Sequence, residues 1–473
     1  MRVSLTMIVR DEEADLPLCL DSVASLVDEI IVVDTGSKDR TRDVAARRGA
    51  RVIDFAWRDD FAAARNESLR HATGEWIFWL DADDRLDPDN QQRLRRLFAS
   101  LADENVGYVM YCRGPIRPDT NPGPLLTHTR LFRNHSAIRW QYRIHEQITP
   151  AILRSGGQER LTDVVIEHTG YEDAERLQQK MERNLRLLRL QDAEQPNDPF
   201  TLYNLGRTHL GLKQPAEALP YFQRSLALWP RSDRLLRELH CLQVMALRQL
   251  GRREEALGVC VAGRRSFPDE TELIVQEGIL RNELGDLAGA ELALVTAWRG
   301  PAGPWRDGLD PRLHREQAMF HLGLVYRKQG RFAEAEALWR ELVEQRVNYL
   351  DAWMALADLW LAQQRAAELL TAAARLEWQP LGGVAATLLR SRFHLARNEF
   401  DSARALLAAA LANAPDSLWL RIAHARLLCQ EGQDWQAAEQ AVLEVLRLDP
   451  HYEPARRNLA WLRSRQAVEQ RNT

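Results

Sequence analysis

The run Gly74-Glu75-Trp76-Ile77-Phe78-Trp79-Leu80-Asp81-Ala82-Asp83-Asp84 constrains this chain more than any other stretch. It opens on a glycine, continues as a short apolar and aromatic segment, and stops at three carboxylates within four residues. Such a segment fits a strand buried on both faces of a mainly parallel sheet. In open α/β sheets ligands bind beyond the carboxyl ends of the strands, so the acidic cluster falls where a ligand would lie. On an extended backbone Asp81 and Asp83 leave on one side. Two hard oxygen donors there can share Mg2+ or Mn2+ with phosphate oxygens. The plainer alternative is a solvated, Asp-rich turn leading into a helix at Pro88.

The flanking sequence alternates strand and helix patterns. Residues 2–9 (RVSLTMIV) read as a buried strand, 13–26 carry helical spacing, and 29–33 (EIIVV) give a second strand ending at Asp34. A glycine-containing turn over 34–41 leads into a helix over 42–48, with Asp39 or Thr41 as N-cap. A strand over 50–55, a helix over 61–72 and the strand 76–80 complete β-α-β-α-β-α-β. That order predicts a parallel sheet with helices on both faces. Beyond it come a helix over 89–101, a strand over 108–112, Gly/Pro-rich turns over 114–124, and short strands over 129–132, 138–144 and 164–167. No GxGxxG follows the first strand, so a dinucleotide is not indicated.

At 473 residues the chain is expected to form two or three domains. A net charge of −4 gives no general attraction to nucleic acid. The five cysteines are scattered without a CxxC pair, which fits buried thiols in a reducing compartment. The start reads as having no signal peptide, and no apolar run approaches the roughly 20 residues that span a bilayer. The expected setting is therefore cytoplasmic.

Four pieces occur in order at strand ends: Met7-Ile8-Val9-Arg10-Asp11-Glu12; Val33-Asp34-Thr35-Gly36-Ser37 with Asp39 and Thr41; Asp60-Phe61 with Arg65-Asn66; and Leu80-Asp81-Ala82-Asp83-Asp84. Together they resemble the nucleotide-sugar domain of family 2 glycosyltransferases, a Rossmann-like α/β domain of GT-A fold, over residues 1–171. The resemblance implies that Asp34 accepts a hydrogen bond from the base, expected to be uracil. It implies that Arg10, Asp11 and Asp60 belong to the nucleotide-sugar pocket, and that Arg65 meets phosphate or ribose. Asp81 would touch ribose or metal, Asp83 would hold the cation, and His168 would return as a third metal ligand. Glu146 is the preferred general base, with His145 orienting it or taking its place. Arg130 and Arg133 would contact phosphates on the acceptor side. Asp11 stands where the family often has Asn, and Asp84 where Glu is more usual.

Each assignment has a plainer counterpart. His145-Glu146 also reads as a surface pair closing a strand, His168 as a turn residue, and Arg130 and Arg133 as solvated arginines. Trp76 and Trp79 read as core, and Trp57 as packing or a sugar platform. The chemistry fits the functional set. A departing diphosphate must be neutralised by a cation, and the acceptor needs a base on the opposite face of the sugar.

After a linker helix (domain segment 172–198), the pattern changes. Tyr203-Asn204-Leu205-Gly206, Ala218, Phe222 and Pro230 recur at tetratricopeptide (TPR) spacing, and the Gly/Ala pair returns at Gly251/Ala256, Gly285/Ala290 and Gly330/Ala335. Residues 199–473 thus resemble an all-α TPR solenoid of seven helix-turn-helix units and a closing helix, with an inserted loop over 300–311. Stacked helix pairs of this kind form a curved solenoid with a concave binding surface. Trp305, Trp339, Trp353 and Trp360 are expected to pack between helices.

The combined expectation is a metal-dependent, inverting glycosyltransferase taking a UDP-sugar. Its acceptor would be a peptide or protein recruited by the repeat groove, as in bacterial peptide S- or O-glycosyltransferases, which this arrangement resembles. Homodimerisation through the repeats is a further expectation. The alternatives are a lipid-linked or polysaccharide acceptor, or a TPR scaffold with a degenerate sugar domain.

Overall fold

The computed structural model describes residues 1–114, 125–170, 174–229, 235–300, 311–450 and 452–469. Eight strands and five helices build the N-terminal domain: β1 (Val3–Val9), α1 (Leu16–Val23), β2 (Glu29–Asp34), α2 (Thr41–Arg47), β3 (Arg51–Asp54), α3 (Phe61–His71) and β4 (Trp76–Trp79) come first. There follow β5 (Asp84–Arg85), α4 (Pro88–Ala99), β6 (Val106–Arg113), β7 (Leu125–Arg133), α5 (Thr149–Arg154) and β8 (Gln158–His168). They form one sheet in the order β3-β2-β1-β4-β7-β6-β8-β5. The first four strands are parallel as expected. The second half is mixed: β7 runs antiparallel to β4 and β6, β8 parallel to β6, and β5 antiparallel to β8.

All four residues of β4 are buried, and they serve two cores by strict alternation. Trp76 and Phe78 enter a cluster with Leu5, Met7, Leu16 and Leu20. Ile77 and Trp79 enter a second with Phe132, Trp140 and Ile152. At about 1.5–3 kcal/mol for each large apolar side chain buried, this strand anchors the sheet from both faces.

Two expectations need correction. Residues 138–144 form no strand. Their only ladder contact among the described residues is the isolated bridge Gln141↔Gln147. Tyr142 and His145 have φ of +73° and +55°, which an extended strand cannot accommodate. The backbone after Leu80 is also not extended, because the Asp84 amide donates to the Asp81 carbonyl at 3.1 Å and closes a turn. Asp81 and Asp83 therefore do not share a strand face. The two-residue β5 and the short α5 were not foreseen. Residues 115–124, most of the Gly/Pro-rich stretch, lie outside the described residues.

α6 (Ala174–Glu194) leads to seven helix pairs among the described residues. They begin with α7 (Pro199–Gly211) and α8 (Pro215–Leu228), α9 (Leu235–Gln249) and α10 (Arg253–Ser266), then α11 (Thr271–Glu283) and α12 (Leu287–Arg299). α13 (Pro311–Lys328) and α14 (Phe332–Gln345) follow, then α15 (Leu350–Ala362) and α16 (Ala367–Leu376). The last pairs are α17 (Gly383–Ala396) with α18 (Phe400–Asn413) and α19 (Leu418–Glu431) with α20 (Trp435–Leu448), closed by α21 (Glu453–Glu469). Close approach explains Gly206, where a Cβ would press into the Phe222 ring of the partner helix, and Gly323, where it would meet Trp339. Gly251, Gly285 and Gly330 instead close the turns between helices at φ of +74°, +87° and +77°, with open space around them. Trp339, Trp353 and Trp360 are buried between helices, as expected. Trp305, Pro230 and the loop 301–310 lie outside the described residues.

The chain divides into two compact units. One holds the sheet, α6 and the helices through Leu280; the other begins at Arg281. Among the described residues no helix is long and apolar enough to cross a membrane.

Candidate active site

The carboxyl ends of β1 and β2 lie side by side, with Val9 opposite Asp34. The loops leaving them are laced together. The Asp11 amide donates to Ser37 Oγ at 2.9 Å, and the Lys38 amide donates to Asp11 Oδ1 at 2.7 Å. The Glu12 amide donates to Thr41 Oγ1 and the Glu13 amide to Asp39 Oδ2. Asp34 is buried, and its carboxylate accepts from the Gly36 and Ser37 amides at 3.1 Å. Arg10 is exposed and stands 3.8 Å from Asp11. These residues hold two loops in one shape at the edge where a ligand is expected.

The turn after β4 presents the acidic group. Asp84 is fully buried. Its Oδ2 accepts from Arg130 Nη1 at 2.8 Å and from the Asp81 amide at 2.9 Å. Across the short β5–β8 ladder Asp84 faces His168, whose Nδ1 is 3.1 Å from Asp84 Oδ1 and whose Nε2 is 3.3 Å from Asp83 Oδ2. Asp83, Asp84 and His168 each offer one ligand atom within 4.8 Å of the other two, so this group could hold a metal ion. Gly170 leans on it; a side chain there would run into the Asp83 carboxylate. Burial and the charges of Asp81 and Asp84 raise the Asp83 carboxyl, against His168. The bond to Asp84 raises His168. Burial and the charges of Asp83, Asp15, Asp81 and Asp39 push Glu12 up to about 7. The site thus concentrates negative charge that a cation would relieve.

Arg65 divides this cluster from a second one. Nη2 donates to Asp81 Oδ1 at 2.9 Å and Nε to Glu146 Oε1 at 2.6 Å. Its guanidinium lies over the Trp79 and Trp140 rings, 4.2 and 5.2 Å from their centroids. Asn66 fixes Trp140 by bonding both its backbone amide and carbonyl at 2.9 Å. Burial works to raise the Asp81 carboxyl, but Arg65 and Arg130 outweigh it and hold it at about 2. His145, next to Glu146, is pushed down to about 4 by burial and by the charges of Arg207, Lys180 and Arg183. Glu146 and His145 sit on the loop carrying the two left-handed residues, each costing on the order of 1–3 kcal/mol.

Several expected contacts are redistributed. Asp83 and His168 do come together, but their third member is Asp84, while Asp81 turns to Arg65. Asp60 caps α3, accepting from the Ala63 amide at 2.8 Å. Arg130 does not face an acceptor: it is buried against Trp79 and bonded to Asp84 and Cys112 Sγ, because a buried carboxylate needs a buried partner. Arg133 pairs with Asp103 and lies opposite Trp76, at the amino end of β4, whereas the carboxylates lie past its carboxyl end. Trp57 packs edge-on to Phe61 at 4.8 Å and donates to Asp59. Trp140, Asn66 and Glu12 complete the site. Asn66 and Glu12 lay in the quoted motifs, whereas nothing in the sequence distinguished Trp140.

Residues 4–156 match Glycosyl transferase family 2, and residues 201–231 and 320–376 match tetratricopeptide repeats. A TPR repeat-containing protein of Synechococcus elongatus is 41% identical over 43% of this chain and 51% of its own. The SPbeta prophage-derived glycosyltransferase SunS of Bacillus subtilis is 27% identical over 47% of this chain and 53% of its own. The chain thus spans about half the length of these curated relatives. A solved tetratricopeptide repeat protein of Parabacteroides merdae covers 56% of this chain and 98% of its own at 13% identity, with a TM-score of 0.38. The N-terminal part of the chain is a family 2 glycosyltransferase domain, and tetratricopeptide repeats follow it.

Proposed function

We propose that this chain is a metal-dependent, inverting glycosyltransferase that moves a sugar from a UDP-sugar to a peptide or protein held by the repeats, in the cytoplasm. The observation that carries the reading is the Asp83–Asp84–His168 group at the carboxyl end of β4, in a family 2 domain. The carboxylate donors suit Mg2+ or Mn2+, and an imidazole beside them favours Mn2+ of the two. Bound there, the cation would supply the positive charge that a departing diphosphate needs.

The chain's own residues divide the rest. Arg130 neutralises Asp84 from behind and fixes its direction. Arg65 holds Asp81 and Glu146 in one plane of contacts and brings a buried cation next to the donor side. Asp34, Asp11 and Arg10 shape the edge that receives the nucleotide, with Asp60 setting the start of α3 behind it. Glu146 Oε1 is taken by Arg65, which leaves Oε2 to accept the acceptor's proton. His145, neutral at physiological pH, is the alternative acceptor of that proton.

The test is calorimetric titration of UDP with and without Mn2+ on the native chain and on Asp83→Asn. Mn2+-dependent binding lost in the variant supports the donor site. Equal binding in all four cases would refute the metal role, and no binding in any case would favour a scaffold.

A further inference from the structure

The loop that carries Glu146 is held from outside the sheet domain. The Arg143 amide donates to Gln191 Oε1 of α6 at 2.9 Å, and Gln191 is buried. The Arg143 side chain donates Nε to Glu194 Oε2 at 2.9 Å, bonds Glu194 again through Nη2, and reaches the Asp59 carbonyl through Nη1 at 3.1 Å. Arg186 of α6 makes two 2.7 Å bonds to Asp59. On the other side of the loop, Ile144 is buried among Leu187 and Leu188 of α6 and Leu202 and Leu205 of α7. The Tyr142 ring packs on Phe200 at 4.7 Å, and its hydroxyl is 3.4 Å from Asp198. The Phe61 amide closes the clamp by donating to the Arg143 carbonyl at 2.8 Å.

Two left-handed non-glycine residues in one seven-residue loop persist only when the surroundings over-determine them. Here those surroundings are α6 and the first repeat helix. We propose that Gln191 is a positioning residue for the transfer reaction, holding the loop Gln141–Gln147 so that Glu146 meets Arg65, and that the linker helix and first repeat are thereby part of the catalytic apparatus. This rests on the reading of Glu146 given above. Gln191 touches no reacting group; it acts through the Arg143 amide. Its partner is a backbone donor, so the requirement at 191 is an acceptor oxygen, which Glu also supplies and Leu does not.

The experiment uses full-length native chain, Gln191→Leu and Gln191→Glu. Hydrolysis of UDP-glucose, UDP-galactose and UDP-N-acetylglucosamine with Mn2+ gives kcat and KM, calorimetry gives UDP affinity, and hydrogen exchange follows the Arg143 amide. Gln191→Leu should exchange that amide at least about tenfold faster and lose about tenfold in kcat, roughly 1.4 kcal/mol of barrier. Donor KM and UDP affinity should stay within about twofold, and Gln191→Glu should restore kcat. Unchanged kcat in Gln191→Leu would overturn the proposal. So would a parallel fall of UDP affinity, which would mark general loss of structure, or failure of Gln191→Glu to restore kcat. A native chain that binds no UDP and turns over none of the three sugars fails earlier, at the reading of the site, and this assignment falls with it.

Discussion

Replacing Arg130 with Met removes a guanidinium while keeping most of the aliphatic volume. The Arg130 side chain is 3% exposed and its partner Asp84 is 0% exposed, 2.8 Å away. Breaking such a pair from one side costs about 3–5 kcal/mol, because the remaining charge stays buried without compensation. For a domain of this size each kcal/mol moves the melting temperature by about 2 °C, so Arg130→Met should melt about 6–10 °C lower. Adding Asp84→Asn removes the orphaned charge and keeps an oxygen for the Asp81 amide. The double variant should recover about half of the loss. Calorimetry gives the melting temperature. A single variant melting within about 2 °C of native, or a double variant as destabilised as the sum of the two singles, would refute the reasoning.

Other consequences are simpler to check. Gly170→Ala should displace the Asp83 carboxylate and weaken Mn2+ affinity by about tenfold or more, as altered supporting contacts do at metal sites, measured by calorimetry. His145 is held near 4 in the folded chain against about 6.5 when unfolded, so the unfolded chain takes up the proton first. Stability should therefore fall as pH drops from 6.5 towards 4, by about 2 kcal/mol at pH 5, and urea titrations of His145→Asn should lack that component. Gly206→Ala forces a Cβ into the Phe222 ring and should cost about 1–3 kcal/mol of urea stability in the first repeat.

The parallel half of the sheet was legible because β1, β2 and β4 are short and largely apolar. The Gly/Ala spacing of the repeats was legible because Gly251, Gly285 and Gly330 close the turns between helices at positive φ, which favours glycine. The antiparallel half was not. β7 reads as alternating Leu, Thr, His and Arg, and nothing local says that it enters next to β4 rather than beside β6 alone. Asp83 and His168 could be named from motifs, but the turn at Asp81–Asp84 could not, and it exchanges Asp81 for Asp84 in the cluster. Arg130 read as a phosphate contact or, more plainly, a solvated arginine, because its burial depends on Asp84, 46 residues away, being buried first.

The ladder between β5 and β8 is two residues long and stands at the sheet's edge, yet it sets Asp84 opposite His168. Successive side chains in a ladder alternate faces, so a slip of one residue would present Arg85 in place of Asp84. Descent should therefore treat the two sides of this ladder differently. Between α4 and β6 the polypeptide can gain or lose length without touching the ladder, Arg130 or the loop Gln141–Gln147. Between Leu80 and Arg85, and again from Glu167 to Gly170, a single inserted residue would unmake the group. Among diverged copies of this chain, length should drift in the first interval and stay fixed in the other two.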